Sequence, residues 1–428
     1  MLPRSRVFWS VSWGHFVIDM FNASVAVILA FLSGHLIQMT NTQIGIAISV
    51  FQIMGSLSQP LCGWLADRNG GRWLGAGGLA WMGALMALAL VVAATTHSFI
   101  LMMIPLMLSA LGSGAFHPVG AMHAAETDRT RTTSNLAIFF LMGSTGGGLG
   151  PIITGILLDR ASTHNNVFTA GLGPFMTGRL LEHGSITPIL LFILVGIPAA
   201  LFMALVIPGA RAHKAKVKQS SGATISRGRV PVMALAVLAI VITLRGFINP
   251  GMVSFLPAMF QARGWSPSEY GLITGLYWIG GGVMGVVFGQ LADRIGSRLL
   301  IAASLLISAP LVWGLTVSNG PMAFVLALGV GAFSGGAHSL IVAMTQKIMP
   351  VGKGLASGAA LGFIFGMGAL AVLVIGAVAD RIGLDTTFQV IAVVGVITGV
   401  LALLLPQDRP QKRIEAEALP VEEAIIPA

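Results

Sequence analysis

About twelve apolar stretches, each near the roughly 20 residues a helix needs to cross a hydrocarbon core, follow one another along these 428 residues. No other feature constrains the chain as strongly. With no water in the bilayer core, a single segment must satisfy its own backbone, so stretches of this kind are expected to be helices. The approximate spans are 7–32, 43–66, 73–95, 98–123, 132–158, 188–207, 231–260, 269–292, 299–318, 321–346, 355–379 and 386–405. Charge agrees with this reading: Asp, Glu, Lys and Arg make up 9% of the chain, where a soluble domain carries about 25%. Cys62 is the one cysteine, which excludes an internal disulfide framework. The net charge of +9 is scattered in short clusters between apolar runs, not gathered in a patch that would suit nucleic acid. The first run is expected to stay in the chain, because it is too long for a leader and carries His15, Asp19 and Asn22.

With both termini in the cytoplasm, 19 of the 24 Lys and Arg residues fall in cytoplasmic loops and tails. The outer loops hold Arg160, Arg179, Arg263 and Arg381, and Arg245 lies within a span, so the positive-inside rule sets this topology. The basic stretch 209–230 lacks an apolar period and is expected to be a cytoplasmic linker between bundles at 1–208 and 231–406. The Pro-, Glu- and Ala-rich tail 407–428 is expected to be disordered, and the connection from Asp159 to Thr187 reads as the longest outer loop. The halves repeat: Gly63-Trp64-Leu65-Ala66-Asp67-Arg68-Asn69-Gly70-Gly71-Arg72 matches Gly289-Gln290-Leu291-Ala292-Asp293-Arg294-Ile295-Gly296-Ser297-Arg298. Asp159-Arg160 likewise matches Asp380-Arg381, and His117 matches His338. The expected fold is all-helical, two six-helix bundles around a central cavity in a monomer, with a small-molecule site near the midplane.

Polar residues inside the spans are the candidates for function, because a charge at the bilayer centre costs about 2.5–3.5 kcal/mol on insertion scales. Ser12, His15, Asp19 and Asn22 recur at helical spacing and share one face. Asp19, with His15 and His117, is the candidate proton site, histidine being the side chain that titrates near neutral pH. Arg245 aligns with Asp19 between the halves, so opposite charges are expected on facing walls. Either Arg245 holds an anion with its planar fork or it neutralises Asp19. Asn249 follows one turn on, and Pro250-Gly251 is expected to break the helix there. Asn22, Gln52, Tyr277 and His338 complete the candidate substrate contacts. No second carboxylate, metal-spacing cluster or serine–lysine dyad accompanies them, so no enzyme activity, metal or cofactor is expected.

The Gly-x-Leu-Ala-Asp-Arg-x-Gly-x-Arg pattern resembles the signature loop of the major facilitator superfamily, and it stands at both equivalent places. Gly146-x3-Gly150-Pro151-x2-Thr154-Gly155 resembles, in part, the antiporter motif of that superfamily's exporters. His15-x3-Asp19-Met20-Phe21-Asn22 and Gly114-x-Phe116-His117-Pro118 are similar to its fosmidomycin-resistance branch of bacterial exporters. Leu108 and Ala110 stand where proton-coupled exporters often carry an arginine, so coupling must use other groups. The resemblance implies a secondary transporter of the bacterial inner membrane, a proton-coupled antiporter exporting a small anionic or amphipathic compound. Uptake of an organic anion by symport and uncoupled lipid translocation are the alternatives. Gating is assigned to Asp67, Arg68, Arg72, Asp293, Arg294, Gly150 and Pro151. Asp67 is expected to accept from the first amides of the eleventh helix, and Arg68 and Arg72 to meet acidic groups in neighbouring loops.

Overall fold

The computed structural model describes residues 3–127, 132–162, 188–209, 232–348 and 353–407. Twelve helical passes appear where the apolar runs stand. They are α1 (Arg6–His35), α2 (Asn41–Asn69), α3 (Arg72–Thr96), α4 (Phe99–Glu126), α5 (Thr132–Ser162) and α6 (Pro188–Val206) in the first bundle. The second holds α7 (Val232–Gly246 and Met252–Ala262), α8 (Pro267–Ile295), α9 (Ser297–Val317), α10 (Pro321–Val330 and His338–Ile348), α11 (Lys353–Ile382) and α12 (Leu384–Ala402). Among the described residues none is in a strand. The linker and tail, apart from Gly209 and Gln407, and loop residues 163–187 lie outside the described residues.

Local sequence explains the ends. Thr40 with Gln43 and Ser266 with Glu269 form capping boxes that start α2 and α8, the same place in each repeat. The repeated loop motif ends α2 at Gly70 (φ 76°) and α8 at Gly296 (φ 87°), a backbone region that favours glycine.

Pro250-Gly251 does not break α7, contrary to the expectation. A π-turn over Phe247–Gly251 carries the helix on into Met252–Ala262. Proline has no N–H for the preceding turn, and widening that turn by one residue absorbs the mismatch without ending the helix. A second π-turn, Gly331–Gly335, interrupts α10 with no proline to announce it.

In the first bundle α1 packs on α4 and α5, and α3 on α4 and α6; across the bundles α2 meets α11 and α5 meets α8. Glycines set the closest approaches. A Cβ at Gly146 or Gly150 would run into the carbonyl oxygen of Phe16 or Met20, so α1 and α5 touch backbone to backbone at the antiporter-like motif. Large apolar side chains such as Leu205, Met233 and Leu404 point outward, as lipid contact requires. The chain is a multi-pass membrane protein of two six-helix bundles.

Cys62 lies in α2, half-buried, two turns before the α2–α3 loop and so near the face that carries the termini. If that face is cytoplasmic, an impermeant thiol reagent is expected to label inverted vesicles and to leave intact cells unlabelled. Labelling of intact cells would reverse the topology.

Candidate functional site

Two polar clusters sit at mid-membrane, one in each bundle. Asp19 and Arg245 each stand 13 residues past the first residue of α1 and α7, roughly 20 Å along the helix.

The first cluster gathers α1, α4 and α5 around Asp19. His15 Nε2 lies 3.2 Å from Asp19 Oδ2 and His117 Nε2 lies 3.2 Å from Oδ1. Asn22 Nδ2 donates to Asp19 Oδ1 at 3.3 Å and to Ser113 Oγ at 3.0 Å. The far side of each imidazole is fixed. His15 Nδ1 meets the Phe139 carbonyl at 2.7 Å, and His117 Nδ1 meets the Ser113 carbonyl at 2.8 Å. A carbonyl can only accept, so both Nδ1 atoms carry hydrogen, and both Nε2 atoms turn toward a carboxylate that also accepts. Each Nε2–oxygen contact is a hydrogen bond only when a proton lies in it. The geometry therefore suits a cluster holding two protons and a net charge of +1; losing both leaves three bare acceptors and a charge of −1. The Phe139 ring stacks on His15 at 4.0 Å between centroids. His15 is buried, whereas the side chains of Asp19 and His117 are 28% and 26% exposed. The same donor atoms lie within 4.8 Å of one another, a spacing that would also admit a metal ion. Sequence spacing could not reveal this, because α1 and α4 contribute from 98 residues apart.

Gly143 in α5 makes room for the cluster: a Cβ there would lie 2.6 Å from Asp19 Oδ2 and would also strike His15. It was missed, although its spacing to Gly146 and Gly150 places all three on the face turned to α1. Gly143→Ala is expected to cut transport about tenfold through about 1–3 kcal/mol of overpacking. Gly147→Ala, whose methyl would meet Trp278 at an ordinary 3.6 Å, should behave as wild type. Equal activities for the two variants, measured beside their melting temperatures, would contradict this.

The second cluster joins the two π-turns. Arg245, 2% exposed, donates through Nη2 to the Ser334 carbonyl in the α10 π-turn at 2.8 Å, while its Nε has no partner. Tyr277 in α8 shares a hydrogen bond with Ser334 Oγ (2.9 Å) and reaches the Asn249 carbonyl in the α7 π-turn at 3.5 Å. Gln52 Oε1 is buried without a partner and His338 packs its ring near Phe365. Among the described residues no ion pair joins Arg245 to Asp19. Their alignment is one of symmetry, and each finds its partners within its own bundle. Asn22, expected among the substrate contacts, hydrogen-bonds within the Asp19 cluster. Ser334 carried no signal beyond its place near His338.

At the loop motif, Arg68 stacks over Trp64 at 3.9 Å and Arg72 over Trp73 at 5.1 Å. Cation–π contact of this kind is favoured where aromatic and basic side chains share an interface. His123, also missed, ties α4 to this loop by donating to the Gly70 carbonyl at 2.9 Å. Asp67 and Arg294 are exposed, whereas the Asp293 side chain and the side chains over 353–361, where Asp67 was expected to act, lie outside the described residues.

Comparison with known proteins follows the same lines. The family model described as Major Facilitator Superfamily matches residues 11–266 and 235–427. A fosmidomycin resistance protein of Escherichia coli (strain K12) is 26% identical over 408 residues, covering 94% of this chain and 92% of that one. An uncharacterized MFS-type transporter of Bacillus subtilis (strain 168), YfnC, is 28% identical over 388 residues, covering 87% and 86%. Among solved structures, a bacterial homolog of the human lysosomal transporter Spinster, inward-facing and unoccupied, superposes with a TM-score of 0.70 at 16% identity, covering 95% of this chain and 98% of that one. The inward-open xylose transporter XylE of E. coli gives 0.69 at 14% identity, covering 95% and 97%. The chain belongs to the major facilitator superfamily: it is a membrane transporter and not an enzyme.

Proposed function

We propose that the chain is a proton-coupled antiporter that exports a small compound with an anionic end and a hydrogen-bond-donating end. The observation that carries this reading is the separation of the two clusters. Arg245 is a buried cation with a free Nε and no carboxylate partner among the described residues, a costly arrangement that an anion would relieve. Asp19, His15 and His117 form, once deprotonated, three acceptors that a substrate's donors can fill. Protons and substrate then compete for the same lone pairs, which is the condition for exchange. The close α1–α5 packing at Gly146 and Gly150 supports the antiporter resemblance, and the bias of Lys and Arg to one face, with relatives from two bacteria, supports a place in a bacterial inner membrane with both termini cytoplasmic.

The relative's name makes fosmidomycin the first compound to try, followed by a panel of organic acids and phosphonates. Binding to purified protein would be measured at pH 6 and pH 8. Competition predicts an affinity about tenfold weaker at the acid pH, where protons are more abundant competitors for those lone pairs. Tighter binding at acid pH would instead favour symport of an organic anion, because a cluster of charge +1 beside Arg245 would attract it.

A further inference from the structure

On the face opposite the termini, two acids tie one bundle to the other, and neither belongs to the clusters at mid-membrane. Asp380, near the end of α11, sits on the first turn of α2. Its carboxylate accepts from the Asn41 N–H at 2.8 Å, the Thr42 N–H at 2.9 Å and the Thr42 hydroxyl at 2.5 Å. The next amide of that turn, on Gln43, is already held by Thr40 Oγ1. The first amides of a helix have no partner within it and carry its positive dipole end, so a carboxylate from the other bundle meets both needs. The arrangement recurs in the repeat. Asp159, near the end of α5, accepts from the Ser268 hydroxyl in the first turn of α8.

The two ties are unequal in one respect that the sequence explains. Pro267 opens α8 where Asn41 opens α2, and proline has no N–H to offer. Close glycine contacts continue from each tie toward the middle: Gly376 lies against the Asn41 carbonyl, and Gly155 against Pro267 and Gly271. Farther toward the termini, added methyls at Gly362 and Gly366 would meet nothing within 4 Å. Asp380 is exposed, so water can take over its amides when the bundles part, and the contact is reversible rather than permanent.

We propose that Asp380 is a latch of the gate on this face and Asp159 its counterpart in the repeat, each a carboxylate that must release the first turn of a helix in the opposing bundle before the cavity opens here. The inference needs only that the bundles rock against each other, not the proton coupling proposed above, so the two can fail separately.

Double electron–electron resonance on the full chain tests it without any ligand. In a Cys62→Ser background, spin labels at Ile100→Cys and Met322→Cys, exposed positions at the starts of α4 and α10, report the separation of the bundles on this face. Asp380→Ala is expected to raise the long-distance population about tenfold. Asn41→Pro copies the start of α8 and removes one amide from the latch. It should fold, because Thr40 is already extended (φ −71°, ψ 162°) as a residue before proline must be. An increase of about threefold is expected for it. Unchanged distances in Asn41→Pro and Asp380→Ala would overturn the proposal. If Asp380→Ala does not fold, Asn41→Pro decides alone.

Discussion

Asp19→Asn is expected to fold and reach the membrane yet lose proton-driven transport by on the order of 100-fold. The change keeps the shape of the side chain and removes the charge on which both imidazoles converge. Each charge-assisted hydrogen bond contributes about 1.5–3 kcal/mol, and a factor of ten corresponds to about 1.4 kcal/mol, so losing the pair accounts for that scale. The asparagine amide can still donate to one Nε2 while its oxygen keeps the bond from Asn22, so the melting temperature should move by only a few degrees. His117→Gln should lie between, because it removes one proton position and leaves Asp19 with His15. Transport driven by a pH gradient would be measured for all three proteins at equal reconstituted amounts. Wild-type coupling in Asp19→Asn would remove the residue from the proton path.

Arg245 gives the second large effect, and it separates anion binding from structural bracing. Arg245→Lys keeps a positive charge that can still donate to the Ser334 carbonyl, but it loses the planar fork and with it the free Nε. If the fork holds substrate, affinity falls about tenfold in the lysine variant and further in Arg245→Gln, while stability is unchanged or rises as a buried charge is removed. If Arg245 only braces the two π-turns, lysine should bind substrate as the wild type does. The double variant Asp19→Asn with Arg245→Gln adds a check. Because the two groups are not paired in the structure, their stability effects should add within about 0.5 kcal/mol. Rescue of one by the other would show a charge pair that forms in another conformation.

Much of this arrangement was legible in the sequence. Hydrophobic length fixed the twelve passes, because the bilayer leaves helices no alternative; the repeated loop motif gave the register that pairs α1 with α7, and the match of His117 with His338 gave the one that pairs α4 with α10. The stripe of His15, Asp19 and Asn22 was visible because helical periodicity names a face. Periodicity does not name the neighbour across from that face. The approach of His117 to Asp19, the clearance at Gly143 and the hold of Asp380 on α2 all depend on which helices pack together, and so stayed hidden. Arg245 shows the same limit from the other side: its symmetry with Asp19 was correct, but symmetry does not imply contact. The π-turn at Phe247–Gly251 was half legible, since Pro250 marks the disturbed turn without deciding how it is resolved. That at Gly331–Gly335 shifts the register without any proline to mark it.

The central claim, that protons at the Asp19 cluster exchange for substrate, is tested most directly by the sign of proton movement. Proteoliposomes enclosing a pH-sensitive dye, with the protein reconstituted in known orientation and no imposed gradient, would receive a substrate identified by the binding panel. Antiport predicts that protons leave the lumen as substrate enters, raising the internal pH with wild-type protein and leaving it unchanged with Asp19→Asn. A fall in internal pH on substrate addition, or substrate entry with no pH change in the wild type, would contradict it.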